Sequence, residues 1–404
     1  MTGDSQRLTL ALPLIKPNLD VSFRGWMGGV LYLQNLARVL SLLDESERPR
    51  ILVLSDGPPD TPVTRGLFRE KAVAGIFRPD GYPVTLKQDL FAALVSNGQP
   101  NLPAIHRMFA EARVLFPILH MVFPAPDGLH WIPDFQHKLL PEMFDATEIA
   151  KRDRNFSGII YERRFLLLSS ESARTDMARF YPNPKARTFV WSFTSALDTS
   201  NFGAEDPRKV YGLPEKYLLA PNQFWKHKDH ATLFRAGKLL AGRGVDITLV
   251  CTGEGVDNRH PRYFEDLRAF VKDQGLEARI KFLGVVPHDH LGLLFRFAAG
   301  IVQPSLFEGW STVIEDAKAL GRPTIASDLP VHLEQARAEK RFTFFKRGDA
   351  ADLAEHIERL WRTTRPGPDP EAEAAARQRR NARDIECARQ FLEIACAVDG
   401  AIRG

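Results

Sequence analysis

Residues 303–335, QPSLFEGWSTVIEDAKALGRPTIASDLPVHLEQ, constrain the fold more than any other stretch of the chain. An apolar run over 298–302 is closed by Pro304 and Ser305. Glu308-Gly309 then makes a turn, where glycine allows close backbone approach. Thr312 with Glu315 fits a capping box, which predicts a helix start near Val313. Gly321 ends that helix as a C′ glycine, with Pro323 just beyond. Residues 324–327 form a short apolar run of the kind found in buried parallel strands. The pattern is strand, loop, helix, strand, with acidic side chains and open helix N–H groups at the C-terminal end of the first strand. Ligands bind there in open α/β sheets, and a helix N-terminus suits a phosphate.

The same rhythm runs through the second half of the chain. Strands are expected over 217–220, 246–251, 280–283, 300–303, 324–327 and 342–345. Helices are expected over about 229–242, 261–274, 288–298, 312–320 and 349–363. Alternation at this spacing predicts a doubly wound parallel sheet. In the first half, residues 8–15 read as a strand that leads into Lys16-Pro17-Asn18. Arg24-Gly25-Trp26-Met27-Gly28-Gly29 follows, then Val30, Leu33, Leu36, Ala37 and Leu40 at helical spacing. Further strands are expected over 51–55, 114–119, 129–132 and 165–169, with a helix over about 172–180. Residues 56–112 show turns at Pro58-Pro59 and Pro79-Asp80-Gly81, and 151–164 read as a polar, basic stretch; neither is assigned an element.

A chain of 404 residues suggests two domains. The polar stretch over 200–216 has no apolar periodicity and marks the boundary. The expected organisation is an N-terminal domain over 1–203, a C-terminal domain over 204–370 that ends in the linker TTRPGPDP, and a closing helical segment over 371–404. With 54 basic and 50 acidic residues the net charge is +4, so nothing points to nucleic acid. The pI near 8.9 allows a weak peripheral attraction to an anionic membrane face. Cys251, Cys387 and Cys396 lack metal spacing and suit a reducing compartment. No leader pattern and no apolar run near the ~18 residues of a span is read, so the expected location is the cytoplasm.

Four sets of residues carry candidate chemistry. Asn222-Gln223-Phe224-Trp225-Lys226-His227-Lys228 follows the first strand of the second half. Two lysines at a strand end make an anion seat, because Lys is a flexible point charge suited to a diphosphate; a solvated loop is the competing reading. Gly28-Gly29 opens the first helix and lets backbone N–H groups approach a phosphate or sugar, or else makes an ordinary tight turn. Asp134 and His137 follow the buried strand over 129–132. A His there can hydrogen-bond a sugar hydroxyl or take a proton, or be a plain surface residue. Glu308, Glu315 and Asp316 are the acidic set, since a carboxylate accepts paired hydrogen bonds from vicinal hydroxyls. The capping box claims Glu315, which leaves Asp316 as the ribose ligand. No Ser-His-Asp order, nucleophile elbow, P-loop or zinc ligand set is present.

Taken together, these motifs resemble the retaining glycosyltransferases of family 4, which have the GT-B fold. Phe307-Glu308-Gly309, Ser311-Thr312 and the Ala319-Leu320-Gly321-Arg322-Pro323 helix end are similar to the family's acidic-pair motif. The second acid falls on Asp316 in place of the usual Glu. Asn222 to Lys228 resembles the phosphate-binding element: Lys228 takes the Lys position, Asn222 the Gly position, and Gln223 stands where Arg is usual, with Lys226 as a substitute cation. Trp131 to His137 is similar to the loop that carries the family's active-site His, and Gly28-Gly29 fits its N-terminal glycine loop. Cys251 to Gly255 looks like the second-strand turn, and Phe282-Leu283-Gly284-Val285 like the segment that touches the base.

The resemblance covers nearly the whole chain in order and is closest over 217–336. It implies an α/β GT-B architecture, with two Rossmann-like domains facing a central cleft and a C-terminal helical segment that crosses back. It implies transfer of a sugar from a UDP- or GDP-type donor to a hydroxyl of a glycan or lipid-linked acceptor, with retained configuration. No cofactor is expected and, without an Asp-x-Asp loop, no metal. The implied donor-binding set is Gly28, Gly29, Asn222, Gln223, Lys226, Lys228, Val285, Gly309, Trp310, Ser311, Thr312 and Asp316. Glu308, His137 and Asp134 are expected at the reacting sugar. Two alternatives stay open. A nucleotide-sugar epimerase of the same fold would consume donor without acceptor, and a non-catalytic scaffold for a partner glycosyltransferase would bind little nucleotide.

Overall fold

The computed structural model describes residues 7–14, 27–55, 62–78, 83–86, 95–96, 99–100, 110, 112, 114–121, 127–197 and 205–404. Lys16-Pro17-Asn18, Arg24 to Trp26, Pro58-Pro59 and Pro79-Asp80-Gly81 lie outside the described residues. The chain divides into two compact units: Met1–Phe135 with Thr147–Ala196 and Ala382–Gly404, and Gln136–Ala146 with Leu197–Asn381.

In the first unit, β1 (Thr9–Leu14), α1 (Met27–Ser41), β2 (Arg50–Ser55), α2 (Pro62–Arg69), β3 (Val73–Phe77) and β4 (Pro83–Leu86) follow one another. The short strands β5 (Val95–Ser96) and β6 (Gln99–Pro100) pair antiparallel with each other. With β7 (Val114–Leu115) the main sheet runs β4-β3-β2-β1-β7, parallel except for β4. Every residue of β1 is buried, so its sequence TLALPL is covered on both faces. A second parallel sheet is formed by β8 (Leu129–Ile132), β9 (Phe165–Leu168) and β10 (Arg187–Val190).

Three expectations change here. The strand foreseen over 114–119 is a ladder only at Val114–Leu115; after the cis Phe116-Pro117 bond, Ile118 bridges to His130. The polar stretch over 151–164 lies largely in a helix. A short helix α3 (Gln136–Leu139) precedes it, and α4 (Ala146–Glu162) buries only a narrow stripe around Phe156, Gly158, Ile159 and Ile160. The polar strand β10 was not foreseen either; among the described residues it is an edge of its sheet. After β9 comes α5 (Glu171–Phe180), as expected, with Ser170 accepting from the N–H of Ala173 as N-cap.

In the second unit, α6 (Pro207–Tyr211) precedes β11 (Leu218–Pro221), α7 (His230–Gly242), β12 (Leu249–Thr252), α8 (Tyr263–Asp273) and β13 (Ile280–Gly284). Then follow α9 (His288–Phe297), β14 (Gly300–Gln303), α10 (Thr312–Ala319), β15 (Thr324–Ser327), α11 (Pro330–Gln335), β16 (Phe342–Phe345) and α12 (Ala350–Thr363). The six strands are parallel in the order β13-β12-β11-β14-β15-β16. Leu218, Ala220, Leu249 and Cys251 pack into one core, while Leu219, Val250, Ile301 and Ala326 pack into another. Successive strand residues point to opposite faces, so two separate cores mean a sheet covered on both sides. The order changes direction between β11 and β14, because the chain leaves β11 toward β12 and later returns to its other edge. That junction is the topological switch point where such sheets bind ligands.

The last helix, α13 (Pro370–Arg403), is about 51 Å long at roughly 1.5 Å per residue. It belongs to the second unit up to Asn381 and to the first from Ala382. In the second unit it passes so close to Gly321, at φ 60°, that a Cβ there would sit 2.7 Å from the Ala372 carbonyl oxygen. In the first, Phe391 packs on Phe116 and Trp191 at 5.3 and 5.2 Å, and the Trp191 indole donates to the Cys387 carbonyl at 2.9 Å. The closing segment therefore crosses back, as expected. No helix among the described residues is long and apolar enough to cross a membrane.

Candidate functional site

The site grows from the C-terminal ends of the neighbouring central strands β11 and β14. Beyond β11 the chain makes a tight 3-10 turn over Lys226–Lys228, and Asp229, at φ 52°, caps α7 through the Thr232 N–H. Beyond β14 it loops through Glu308 to Ser311 and enters α10. The two exits are tied by the Leu306 N–H, which donates to the His227 carbonyl at 2.8 Å. This brings Lys228 and Glu308, eighty positions apart, into contact. The Lys228 ammonium donates to both carboxylate oxygens, at 2.7 and 2.8 Å, and the side chains are only 14% and 7% exposed.

Glu308 is held by more than charge. Its Oε1 also accepts from the Gln303 amide and the Ser305 hydroxyl, each at 2.7 Å. Gln303 in turn accepts from the Asn222 amide at 2.7 Å. A buried carboxylate is tolerable only when paired and hydrogen-bonded, and this one is both. Beneath it His332 is fully buried, with Nδ1 on the Ser327 carbonyl at 2.9 Å. Burial pushes the His332 imidazole down to about 4, so it is neutral at pH 7.

The start of α10 corrects the capping-box expectation. The N-cap is Ser311, whose hydroxyl accepts from the Ile314 N–H, so Thr312 is the first helical residue and Glu315 lies one position too far along to close the box. Glu315 instead accepts from Lys318 and Gln335, both at 3.0 Å. Gln335 also clamps the Ser311 backbone, accepting from its N–H and donating to its carbonyl, both at 3.0 Å. The helix start is therefore fixed by a side chain from α11. Asp316 is half-buried on α10, and Gly309 and Trp310 are half-buried in the loop before it.

On the other flank Asn222 is buried and turned toward Gln303, away from the role of an open glycine. Gln223 accepts from the Glu254 N–H, and the Phe224 N–H donates to the Glu254 carbonyl at 3.0 Å. Both tie the turn after β12 to the turn after β11. That approach explains Gly253: a Cβ there would lie 2.3 Å from the Asn222 carbonyl oxygen. Buried Asp257 then joins two basic turns, accepting from the N–H of Lys226 at 3.0 Å and from those of Arg259 and His260 at 3.0 and 3.3 Å. Lys226 is exposed, and Val285 is 72% exposed just after Gly284 at the end of β13.

The remaining expected residues fall elsewhere. His137, on α3, is buried and lies in the segment Gln136–Ala146, which belongs to the second unit. Its ring meets Phe144 edge-on at 6.5 Å, and the Arg259 guanidinium lies over the Phe144 ring, 4.5 Å from its centroid. The order of motifs suggested that His137 would come from the N-terminal domain; the Arg259–Phe144 contact explains why its segment groups with the second unit. Asp134 stays in the first unit, where its charge adds to burial in raising the Asp176 carboxyl to about 6. Gly28 and Gly29 begin α1 in the first unit, Gly28 exposed and Gly29 buried. Gln303, Ser305, Gln335 and Asp257 were not singled out as site residues in the sequence; the partners that draw Gln303 to Asn222, Gln335 to Ser311 and Asp257 to Lys226 lie far away along the chain. Among the described residues no three His, Cys, Asp or Glu side chains come together as a metal site.

Residues 204–384 match the family model of glycosyl transferases group 1. The O-antigen chain mannosyltransferase RfbU of Salmonella typhimurium is 29% identical over 120 residues, 30% of this chain and 32% of that protein. D-inositol 3-phosphate glycosyltransferase of Corynebacterium urealyticum is 25% identical over 174 residues, 40% of each chain. These alignments span well under half of either relative's length. The crystal structure of Anabaena Alr3699/HepE in complex with UDP and glucose superposes with a TM-score of 0.65 at 16% identity, over 97% of this chain and 100% of that one. The fold is GT-B: two Rossmann-like units, with the last helix shared between them.

Proposed function

We propose that this chain is a retaining glycosyltransferase that moves a hexose from a nucleoside diphosphate sugar to a hydroxyl of a glycan or lipid-linked acceptor. The observation that carries the reading is the Lys228–Glu308 pair beside the N-terminus of α10, at the switch point of the second sheet. The group 1 match over the same residues supports it. So does the structural neighbour solved with UDP and glucose. RfbU, an O-antigen chain mannosyltransferase, suggests an acceptor in bacterial polysaccharide assembly.

In this reading the leaving diphosphate is neutralised by protein groups. Lys228 and Lys226 supply positive charge, and the N–H groups of Thr312 and Val313 at the α10 terminus supply aligned dipoles. Asp316 accepts from the ribose diol, the segment at Val285 meets the base, and Glu308 accepts from donor-sugar hydroxyls near the anomeric carbon. His137 contacts the same sugar, and Gly28 and Gly29 belong to the donor-binding set. No carboxylate is placed as a nucleophile. A same-face displacement, in which the departing phosphate oxygen takes the acceptor proton, asks least of these residues. The test is a thermal-shift panel of UDP, GDP, ADP and TDP with their sugars. A bound nucleotide at ~100 times its dissociation constant adds about 2.7 kcal/mol of stability. One base class should raise the transition clearly; a flat panel contradicts the proposal.

A further inference from the structure

We infer that Asn222 and Gln303 form a one-directional amide relay that sets which oxygen of Glu308 is presented to the donor sugar. The inference rests on the proposed role of Glu308 and adds two positioning residues to it. Both amides are buried, Gln303 fully and Asn222 to 4% exposure, at the ends of the paired strands β11 and β14. The direction of a side-chain amide is often ambiguous; here chemistry decides it. An ionised carboxylate only accepts hydrogen bonds, so Gln303 must turn its NH2 toward Glu308, at 2.7 Å. Its carbonyl oxygen then faces Asn222, which must give its own NH2, also at 2.7 Å. The second Gln303 N–H is shared between the hydroxyls of Ser305 and Ser311, at 3.1 and 3.2 Å.

The consequence is an asymmetric carboxylate. Oε1 takes donors from Gln303, Ser305 and Lys228. Oε2 takes Lys228 at 2.8 Å. A carboxylate oxygen has about two acceptor directions, so Oε1 is saturated and Oε2 keeps capacity for a sugar hydroxyl. This also gives the departure at position 222 a reason. Where the resemblance places a glycine with no side chain, Asn222 orients Gln303.

The test is Asn222→Asp, nearly isosteric, which puts an acceptor against the Gln303 carbonyl oxygen and forces the amide over. Its oxygen would then face Glu308. We expect kcat to fall roughly tenfold or more, as for a lost hydrogen bond to a charged group, with nucleoside diphosphate Kd changed less than about twofold. In a Glu308→Gln background the neutral amide can accept or donate, so Asn222→Asp should cost little further activity. Thermal unfolding of the same four proteins should show the same coupling, a clear drop in Tm from Asn222→Asp only when Glu308 is present. Equal effects in both backgrounds, or no effect in either, overturn the relay. If the coupling in Tm appears but the unaltered protein transfers no sugar, the relay stands and the proposed function falls.

Discussion

Two buried ion pairs, one in each unit, invite comparison. In the first unit the Arg38 guanidinium grips Asp384 of the last helix in a fork, at 2.7 and 2.8 Å, and the Thr194 hydroxyl adds a third donor at 2.6 Å. Asn35 reaches Thr194 as well, so α1, α13 and the strand exit near Thr194 are knotted together. In the second unit Lys228 meets Glu308 at the strand ends. The planar fork satisfies both oxygens of Asp384 and belongs to a fastening. The point charge of Lys, with three rotatable donors and two in use, belongs to a place where a ligand can share it. Burial is similar in the two pairs, so burial alone does not separate a clasp from a binding site; donor geometry and position on the sheet do.

The sharpest way to break this contrast is Lys228→Ala. Transfer should fall by roughly two orders of magnitude or more, as for other charge-stabilising donors, in protein that is still folded at the assay temperature. Near-normal turnover would remove Lys228 from the diphosphate. The counterpart is Asp384→Ala. Stranding Arg38 should cost about 3–5 kcal/mol in denaturant unfolding, with transfer by the folded fraction kept. A loss under ~1 kcal/mol would show that this clasp is not a buried pair in effect. Glu308→Gln sharpens the picture further: kcat should drop more than nucleotide affinity, and the reverse order would move Glu308 from the sugar to the phosphates.

The second sheet was legible in the sequence because its central strands β11, β12, β14 and β15 are buried on both faces. The runs over 300–303 and 324–327, each with a Gly or Pro at a boundary, coincide with β14 and β15, and the run over 342–345 with β16. The first unit was harder for a physical reason. In α4 the buried stripe is narrow against a polar surface, and β10 is an edge strand whose Arg187 is exposed, so neither shows a clean period. At the site, Lys228 and Glu308 could be named from their places after strands. Their pairing could not, nor could the Asn222–Gln303 contact, because contacts across eighty positions leave no local pattern. The error at Thr312 was one of register: Ser311 and Thr312 are both good caps, and only the fold chose the first.

A smaller effect concerns acid. His230 is fully buried, its ring stacked on Phe224 at 4.4 Å, and burial lowers it to about 3. The unfolded chain binds this proton near pH 6.5 while the folded one resists it, so the stabilising term is full above ~6.5 and is lost as pH falls toward 3. His230→Phe should flatten the decline of Tm between pH 6.5 and 4. An unchanged slope would assign the acid sensitivity to other groups.

The central claim is that Lys228 binds the donor's diphosphate. Its most direct test is calorimetric titration of the nucleotide selected by the thermal-shift panel, as the diphosphate and as the monophosphate, into the unaltered protein and Lys228→Ala. The unaltered protein should prefer the diphosphate by roughly tenfold or more, a charge-assisted contact's worth, and Lys228→Ala should lose most of that preference. An equal preference in both proteins would contradict the account.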